Sequence, residues 1–512
     1  MDSPRAPRLE IHGRVLARNT LLNLAGQAAP LLVGVLCIPP VISGLGTERF
    51  GLLALAWAVL GYFNIFDLGL SRATTKFVAE SLGRGEHQRL PRLVWTAALS
   101  QAGFGLIGSA ILALATPALV EHILNIPPAL TGEARLSFYL LSFSIPIVLV
   151  TTSLRGTLEA AQRFDLVNAL RAPASAAVFF LPLAGLWLGW VLPGIVALLV
   201  AARAVVLVLH YVLCRRVFPE LRGRPRLDAS SLRTLLAFGG WVTVSSAVGP
   251  ILTYLDRFML GVLATLGSVA FYSAPYEMVA RLWVLPASLM ATLFPAFSTL
   301  DAERQRREAL AARAVKFILV LLGPVVVAVL ALAPDVLRLW LGPEFALQST
   351  RALQILAAGV LINSLAWVPS ALLHASGRPD LPAKFHMLEL PLQAALVWWL
   401  VSSFHITGAA LAWSLRVAFD ASLLFAACSR LSLLSWRSLA AHRLPQTALF
   451  TIVAGGGTLA LGLSSAPVWF RASVATLVAL ALLIASWRFL LNEADRSHIL
   501  GVLQLSSGRG RG

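Results

Sequence analysis

The chain has 512 residues, of which 58% are hydrophobic and only 13% charged, and its mean hydropathy is +0.79. This balance excludes an ordinary soluble globular domain, whose apolar share is far lower. The formal net charge of +17 would suit a nucleic-acid partner, but the basic residues recur between apolar runs instead of forming one patch. We therefore expect no nucleic acid among the partners.

Fourteen apolar runs of about 20 residues follow one another along the chain, each long enough to cross a bilayer as a helix. They predict an all-α polytopic membrane protein. The runs divide the chain into a basic N-terminus, two sets of six helices separated by a basic linker, two accessory helices and a tail. The corresponding ranges are residues 1–18, 19–213, 214–233, 234–428, 429–491 and 492–512.

The distribution of basic residues indicates the orientation of the chain. If the N-terminus is cytoplasmic, the inner segments carry 32 lysines and arginines and the outer loops only five. Such a bias is the positive-inside pattern of membrane proteins. It predicts that both termini are cytoplasmic.

The first six helices contain few charges at membrane depth. Helix 1 is interrupted by Pro30, Pro39 and Pro40, and such prolines are either bends that alternate between states or tolerated kinks. Helix 2 ends near Asp67, about 28 Å from its outer turn at the rise of an α-helix. We expect Asp67 to lie near the cytoplasmic face, paired with Arg72 or Lys76.

The second set of helices opens with a hairpin, residues 245–297, that carries four charges within apolar sequence. Asp256 lies 11 residues before Gly267 and Glu277 lies 10 residues after it, so both are roughly 15 Å from the turn. Arg257 and Arg281 accompany them. Charges at mid-membrane cost at least ~2.5–3.5 kcal/mol and mark transport paths or ion pairs. Either a substrate cavity or two purely structural ion pairs fits this pattern.

Two further observations concern the second set. The turns LGTERF (45–50) and LGSVAF (266–271) occupy the same place in the two sets, which predicts an internal repeat with its site near the midplane. Arg416 and Asp420 in helix 12 are four residues apart and are expected to pair with each other. His374 and His386 are interpreted as surface or packing residues.

No catalytic or metal-binding pattern is present in the sequence. There is no phosphate-binding loop for ATP, and the three cysteines stand on separate helices without metal or disulfide spacing. We expect no catalytic residues, no metal and no bound cofactor.

The chain resembles the polysaccharide transporter family, the Wzx-type flippases, of the multidrug/oligosaccharidyl-lipid/polysaccharide (MOP) exporter superfamily. The motifs that carry the resemblance are LGTERFGLLAL, FDLGLSRA, YLDRFMLG, LGSVAFYSAPYEM, FPAFSTL, LWLGPEF and LHASGRPD, which lie in this order between residues 45 and 380. The resemblance implies two six-helix lobes in a V. It also implies alternating access in a bacterial inner membrane and an undecaprenyl-diphosphate-linked oligosaccharide as cargo.

The resemblance implies that the mid-membrane charges line the cavity between the two lobes. Arg257 and Arg281 are expected to bind the diphosphate, since arginine meets phosphate through a planar fork. Asp256 and Glu277 are expected to pair with them, or to bind H⁺ or Na⁺ for coupling. The candidates for stacking on sugar are Tyr254, Tyr272, Tyr276 and Trp283.

Other readings of the sequence stay open at this point. The chain could be a cation-coupled drug exporter, a flippase for the peptidoglycan lipid precursor, or a membrane scaffold that transports nothing. The implied partners are the lipid-linked oligosaccharide and membrane lipid, with a polysaccharide polymerase and glycosyltransferases as further candidates.

Overall fold

The computed structural model describes residues 33–62, 67, 69–161, 163–299, 304–462, 464, 466–486 and 488. Within these residues the chain is helical, without a β-strand, as the apolar runs predicted. Helices α1 to α7 form the first half: Val33–Leu45, Thr47–Tyr62, Leu70–Gly83, Leu90–Ala118, Thr131–Ala160, Phe164–Trp187 and Leu192–Val217. The prediction for residues 19–32 falls outside the described residues.

The second half contains α8 to α13: Ala229–Leu263, Leu266–Ala280, Val284–Thr299, Arg304–Leu341, Pro343–Ala375 and Asp380–Arg430. The last of these holds two of the predicted spans, because His405 adopts a left-handed conformation (φ 48°) that ends one helix and starts the next. A short helix α14 (Trp436–Ala441) precedes α15 (Leu444–Gly462) and α16 (Val468–Ala485). Among the described residues, nine helices are long and apolar enough to cross a membrane by themselves.

The second predicted span of each half is divided in two. In the first half α2 ends at Tyr62 and α3 begins at Leu70. In the second half a 3₁₀ turn, Arg281–Trp283, separates α9 from α10. Pro286 lacks the N–H that would bond to the carbonyl of Leu282, and this is the local reason for that break.

A proline within a helix leaves the backbone carbonyl four residues before it without its usual N–H donor, and in three places a side chain from another helix donates the missing hydrogen bond. The carbonyls of Val35, Phe271 and Leu330 each stand four residues before a proline. Their donors are Trp340 Nε1 at 2.7 Å, Ser349 Oγ at 2.6 Å and Gln354 Nε2 at 2.8 Å, respectively. Because an unbonded carbonyl in hydrocarbon costs several kcal/mol, these bonds make the interrupted helices stable in a membrane.

The two halves meet closely at the end of the bundle that carries the turns at Gly46 and at Leu263–Leu266, which the charge pattern predicts to be the outer end. A Cβ added to Gly51 of α2 would stand 1.9 Å from the carbonyl oxygen of Leu266. Asn125 donates its side-chain amide to the carbonyls of Val262 (2.7 Å) and Ala264 (2.9 Å). Only glycine lacks the Cβ that would prevent the first contact, so Gly51 allows the two halves to pack closely here.

The two repeat turns differ locally. Gly46 lies between α1 and α2 with φ 78°, whereas Gly267 lies inside the first turn of α9. The accessory helices α15 and α16 pack against α11, where Arg471 of α16 forms an ion pair with Asp335 at 2.7 Å. A Cβ on Gly462 would stand 2.4 Å from the carbonyl oxygen of Leu330, so α15 approaches α11 at backbone distance.

Candidate functional site

The hairpin of α8 and α9 brings the four predicted charges to one level. Helix α8 ends at Leu263, and the side chain of Thr265 caps α9 by accepting a bond from the Ser268 N–H at 3.1 Å. Because the turn is so short, residues about ten positions to either side of it stand opposite one another. Asp256 and Arg257 therefore face α9 at the level of Tyr272, Tyr276 and Glu277.

Glu277 holds both arginines at the same time. Its Oε1 accepts from Arg257 Nη2 and its Oε2 from Arg281 Nη2, each at 3.1 Å. The two guanidinium groups differ in exposure: the side chain of Arg257 is 2% exposed and that of Arg281 30%. The site therefore contains one sequestered arginine and one accessible arginine on a shared carboxylate.

Arg257 is enclosed by aromatic rings. Its guanidinium lies 4.4 Å from the ring centre of Tyr276 and 5.5 Å from that of Tyr254. Such cation–π contacts strengthen when water is excluded. Together with Glu277 they hold Arg257 in one orientation.

Among the described residues, no arginine side chain forms an ion pair with Asp256. It is fully buried, it accepts a hydrogen bond from the Tyr272 hydroxyl, and its Oδ1 accepts from the backbone N–H of Arg257 at 2.8 Å. Tyr272 is fully buried as well. In this conformation the Tyr272 hydroxyl donates to Asp256 and its ring is not exposed to a sugar, so its assignment as a glycan contact stays a prediction.

Arg281 reaches across to the first half. Its guanidinium lies 4.8 Å from the ring centre of Phe179 on α6. The neighbouring Trp283 stacks at an angle with Trp413 of α13, the ring centres 6.2 Å apart, and Tyr276 lies 5.6 Å from the same indole. The 3₁₀ turn is thus in contact with both halves.

A second polar cluster, which we name the α13 cluster, consists of His386, Glu389, Arg416 and Asp420. The predicted pair of Arg416 with Asp420 is wrong: Arg416 Nη1 bonds instead to Glu389 Oε2 at 2.9 Å across the hairpin. The hairpin geometry outweighs the i,i+4 spacing because Glu389 is fully buried and needs a cation.

His386, interpreted from the sequence as a surface or packing residue, lines a cavity beside Asp420. The sequence contains a signal for the cluster that helical spacing misses. Glu389 lies 16 residues before His405 and Asp420 lies 15 after it. Counting from that turn, as from Gly267, places the two carboxylates at one depth.

The prediction for Asp67 is wrong in its partners. Asp67 is buried, and its carboxylate accepts from Gln101 Nε2 at 2.6 Å and from Ser71 Oγ at 2.9 Å. Lys76 instead approaches Glu80 at 3.9 Å. The buried carboxylate of Asp67 therefore lies within the helix bundle, and its position near the cytoplasmic face stays a prediction.

The fold defines the class of protein. It is similar to a multidrug resistance MATE family transporter of the MOP superfamily in an inward-facing conformation, with a TM-score of 0.64, 14% identity and coverage of 79% of this chain and 94% of that one. It is also similar to the lipid II flippase MurJ in an inward closed conformation, with a TM-score of 0.63, 13% identity and coverage of 90% and 100%. This architecture is the one that the resemblance of the sequence implied.

The family follows from the sequence comparisons. Residues 16–301 match the model of the family described as "Polysaccharide biosynthesis protein". The chain is 30% identical over 411 residues to the Shigella flexneri protein named "Putative O-antigen transporter", covering 80% of this chain and 96% of that protein. The chain belongs to this polysaccharide biosynthesis family. It is a multi-pass membrane transporter and not an enzyme.

Proposed function

We propose that this protein flips an undecaprenyl-diphosphate-linked oligosaccharide across the bacterial inner membrane by alternating access, for the export of a surface polysaccharide. Both termini are then cytoplasmic, as the charge asymmetry predicts. The observation that carries the proposal is the accessible Arg281, held by Glu277 and in contact with both halves of the fold.

The charges of the site suit a diphosphate. Asp256, Arg257, Glu277 and Arg281 sum to zero, so a cation that binds cargo must first leave Glu277. Arg281 is the arginine that can do so, because it is partly exposed, whereas Arg257 is sequestered. Arg257 then remains as the permanent partner of Glu277.

Energetics favour a cationic group at this depth. Moving two negative charges through a potential of 100 mV involves about 4.6 kcal/mol and favours outward movement when the interior is negative. Removing the diphosphate from water opposes that movement more strongly, unless a buried cation replaces the lost hydration. A guanidinium can do this with two parallel hydrogen bonds.

The contact of Arg281 with Phe179 supports alternating access. Phe179 belongs to the first half, and Arg281 and Glu277 belong to the second. Cargo that takes Arg281 from Glu277 therefore changes a contact between the halves. A ligand moves a conformational equilibrium only through such a difference in contacts.

The experiment is a flipping assay in proteoliposomes with a fluorescent lipid-diphosphate-linked sugar. Arg281→Gln is expected to keep expression and melting temperature near wild type, because a partly exposed ion pair contributes only ~0–1 kcal/mol, and to abolish flipping. Arg281→Lys is expected to be intermediate, since an ammonium keeps the charge but loses the fork.

The matched control is Arg155→Gln. Arg155 pairs with Glu159 at 3.5 Å with the same i,i+4 spacing, in the first half, and its loss is expected to leave flipping unchanged. If the double variant Glu277→Gln/Arg281→Gln restores flipping, Arg281 is only one side of a structural ion pair and the proposal is wrong.

A further inference from the structure

The α13 cluster contains one more negative charge than its own cation balances. Glu389 and Asp420 are both more than nine-tenths buried, and Arg416 is the only guanidinium bonded to either carboxylate among the described residues. The imidazole of His386, neutral in this count, completes the cluster. A buried group of two carboxylates and one arginine carries a net charge of minus one, which is unfavourable at membrane depth.

The cluster also contains carboxylate oxygens that have no hydrogen-bond partner among the described residues. Glu389 Oε1 and Asp420 Oδ1 are buried without a hydrogen-bond partner, although Glu389 Oε2 is held by Arg416. One ligand atom each from His386, Glu389 and Asp420 lies within 4.8 Å of the other two. Buried polar atoms are almost always bonded, so two unbonded carboxylate oxygens that converge with the imidazole of His386 indicate a positively charged ligand.

Two cavities lead to these acceptors. The larger, of about 380 Å³, is bordered by His374, His386 and Asp420. The smaller, of about 190 Å³, is bordered by His386 and Asp420 again, together with Arg416, Tyr276 and Trp283. The α13 cluster therefore borders the larger cavity on one side, and on the other the smaller cavity connects it to the aromatic side chains next to Arg281.

We propose that Glu389 and Asp420, with His386 beside them, bind one exchangeable proton, which neutralises the α13 cluster and couples it to the cargo site. Two adjacent carboxylates cannot both be ionised without a compensating charge, and one proton between them supplies it. The proton moves from water in a cavity to one carboxylate oxygen and returns to water, with no covalent step.

The composition of the cluster favours a proton over a metal ion. A divalent cation would leave the cluster with a net charge of plus one, because Arg416 is already present. Sodium and other hard cations prefer oxygen ligands, and an imidazole nitrogen serves them poorly. The same nitrogen accepts and releases protons readily near neutral pH.

Other titratable groups approach the cluster from three neighbouring helices. They are His374 of α12, which lines the larger cavity, and Asp256 of α8 and Tyr276 of α9, which interact electrostatically with Arg416. None of the three lies among the convergent acceptors. They modulate the proton affinity, and the two carboxylates carry the proton.

The link to cargo passes through Trp413, one turn before Arg416 on the same helix. Trp413 is in contact with both Tyr276 and Trp283, and these side chains flank Glu277 and Arg281. A change in the charge around Arg416 therefore reaches the 3₁₀ turn through packed aromatic rings. This coupling rests on the proposed function of Arg281, whereas proton binding itself does not.

The test is infrared difference spectroscopy of the full chain in lipid bilayers, without cargo, between alkaline and acidic buffer. The wild type is expected to gain a protonated-carboxyl C=O band that Asp420→Asn and Glu389→Gln each remove or shift. His386→Gln is expected to keep the band and move its midpoint pH. Asp165→Asn, an exposed carboxylate paired with Arg163, is the control and leaves this band unchanged.

Several outcomes overturn the proposal. They are the absence of the band in the wild type, its persistence unchanged in both carboxyl variants, and the same spectral change produced at fixed pH by Na⁺ or a divalent metal. Asp420→Asn removes the excess charge and is expected to fold at least as well as the wild type. If it does not fold, Glu389→Gln and His386→Gln decide the question.

Flipping under an imposed pH gradient separates this proposal from the preceding one. The wild type is expected to respond to the gradient and Asp420→Asn to lose that response. If Arg281→Gln still flips the cargo while the proton band behaves as expected, the assignment of Arg281 is wrong and the proton site stands. If the band behaves as expected but the gradient has no effect, coupling is refuted.

Discussion

The second transmembrane span is broken in both halves of the molecule, but different groups bond the carboxylate near each break. In the first half Asp67 is bonded by the neutral donors Gln101 and Ser71. In the second half Glu277 is bonded by two arginines. Neutral donors fix a carboxylate in place, whereas a carboxylate that holds two cations can release one of them to an anion.

The same difference extends beyond the breaks. The ion pairs of the first half lie at the surface, with every described partner at least 21% exposed. Among the described residues of the second half, Arg257–Glu277 and Arg416–Glu389 each have a partner at most 2% exposed, and Asp335 of α11 pairs with Arg471 of the accessory helix α16 at 14% and 12% exposure. We infer that the first half is mainly a scaffold and that the second half carries the exchangeable charges.

The largest expected effect is that of Arg257→Gln. It removes a sequestered cation that lies beside the buried carboxylate of Asp256 and is bonded to Glu277, so the free energy of unfolding is expected to fall by ~3–5 kcal/mol. Denaturant titration in mixed micelles measures this change. The double variant Arg257→Gln/Glu277→Gln is expected to recover part of it. A loss below ~1 kcal/mol would show that the second half does not depend on its buried ion pair.

The next effect concerns the contact between the two broken spans. Gly51→Ala places a Cβ against the backbone of Leu266 and is expected to lower the free energy of unfolding by ~1–3 kcal/mol. It is also expected to separate the halves at their predicted outer end. Labelling of a cysteine at Asn125 from outside is expected to become faster in a Gly51→Ala background.

Gly267→Ala is the matched control for this change, because the nearest atom to its added Cβ is 3.6 Å away. It is expected to leave both the stability and the labelling rate of the Asn125 cysteine as they are in the parent. Equal labelling in the two alanine backgrounds would mean that this contact does not hold the halves together.

The smallest effect is expected for Asp67→Asn. The amide keeps the shape and an acceptor for Gln101, so the loss in the free energy of unfolding is expected to be only about 1 kcal/mol. Flipping is expected to be retained, which the proteoliposome assay measures. Loss of flipping in a folded Asp67→Asn protein would show that the first half also contributes a functional charge.

The sequence by itself determined the fold class, the order of the spans and the residues of the α8–α9 hairpin. These follow from local properties, namely the length of apolar runs and the spacing of charges from a tight turn. The same reasoning identified Arg257 and Arg281 as a pair. It could not tell them apart, since exposure depends on Tyr254, Tyr276 and the packing of α6 against the site.

Only the tertiary structure decided which groups bond at membrane depth. Arg416 pairs with Glu389, on the other side of the His405 kink in α13, and not with Asp420 on its own side. In a low-dielectric interior the fully buried carboxylate gains most from a cation. Asp67 accepts a hydrogen bond from Gln101, which is 34 residues away along the chain. Such partners are set by helix packing, which brings distant residues within hydrogen-bond distance and leaves no trace in local sequence spacing.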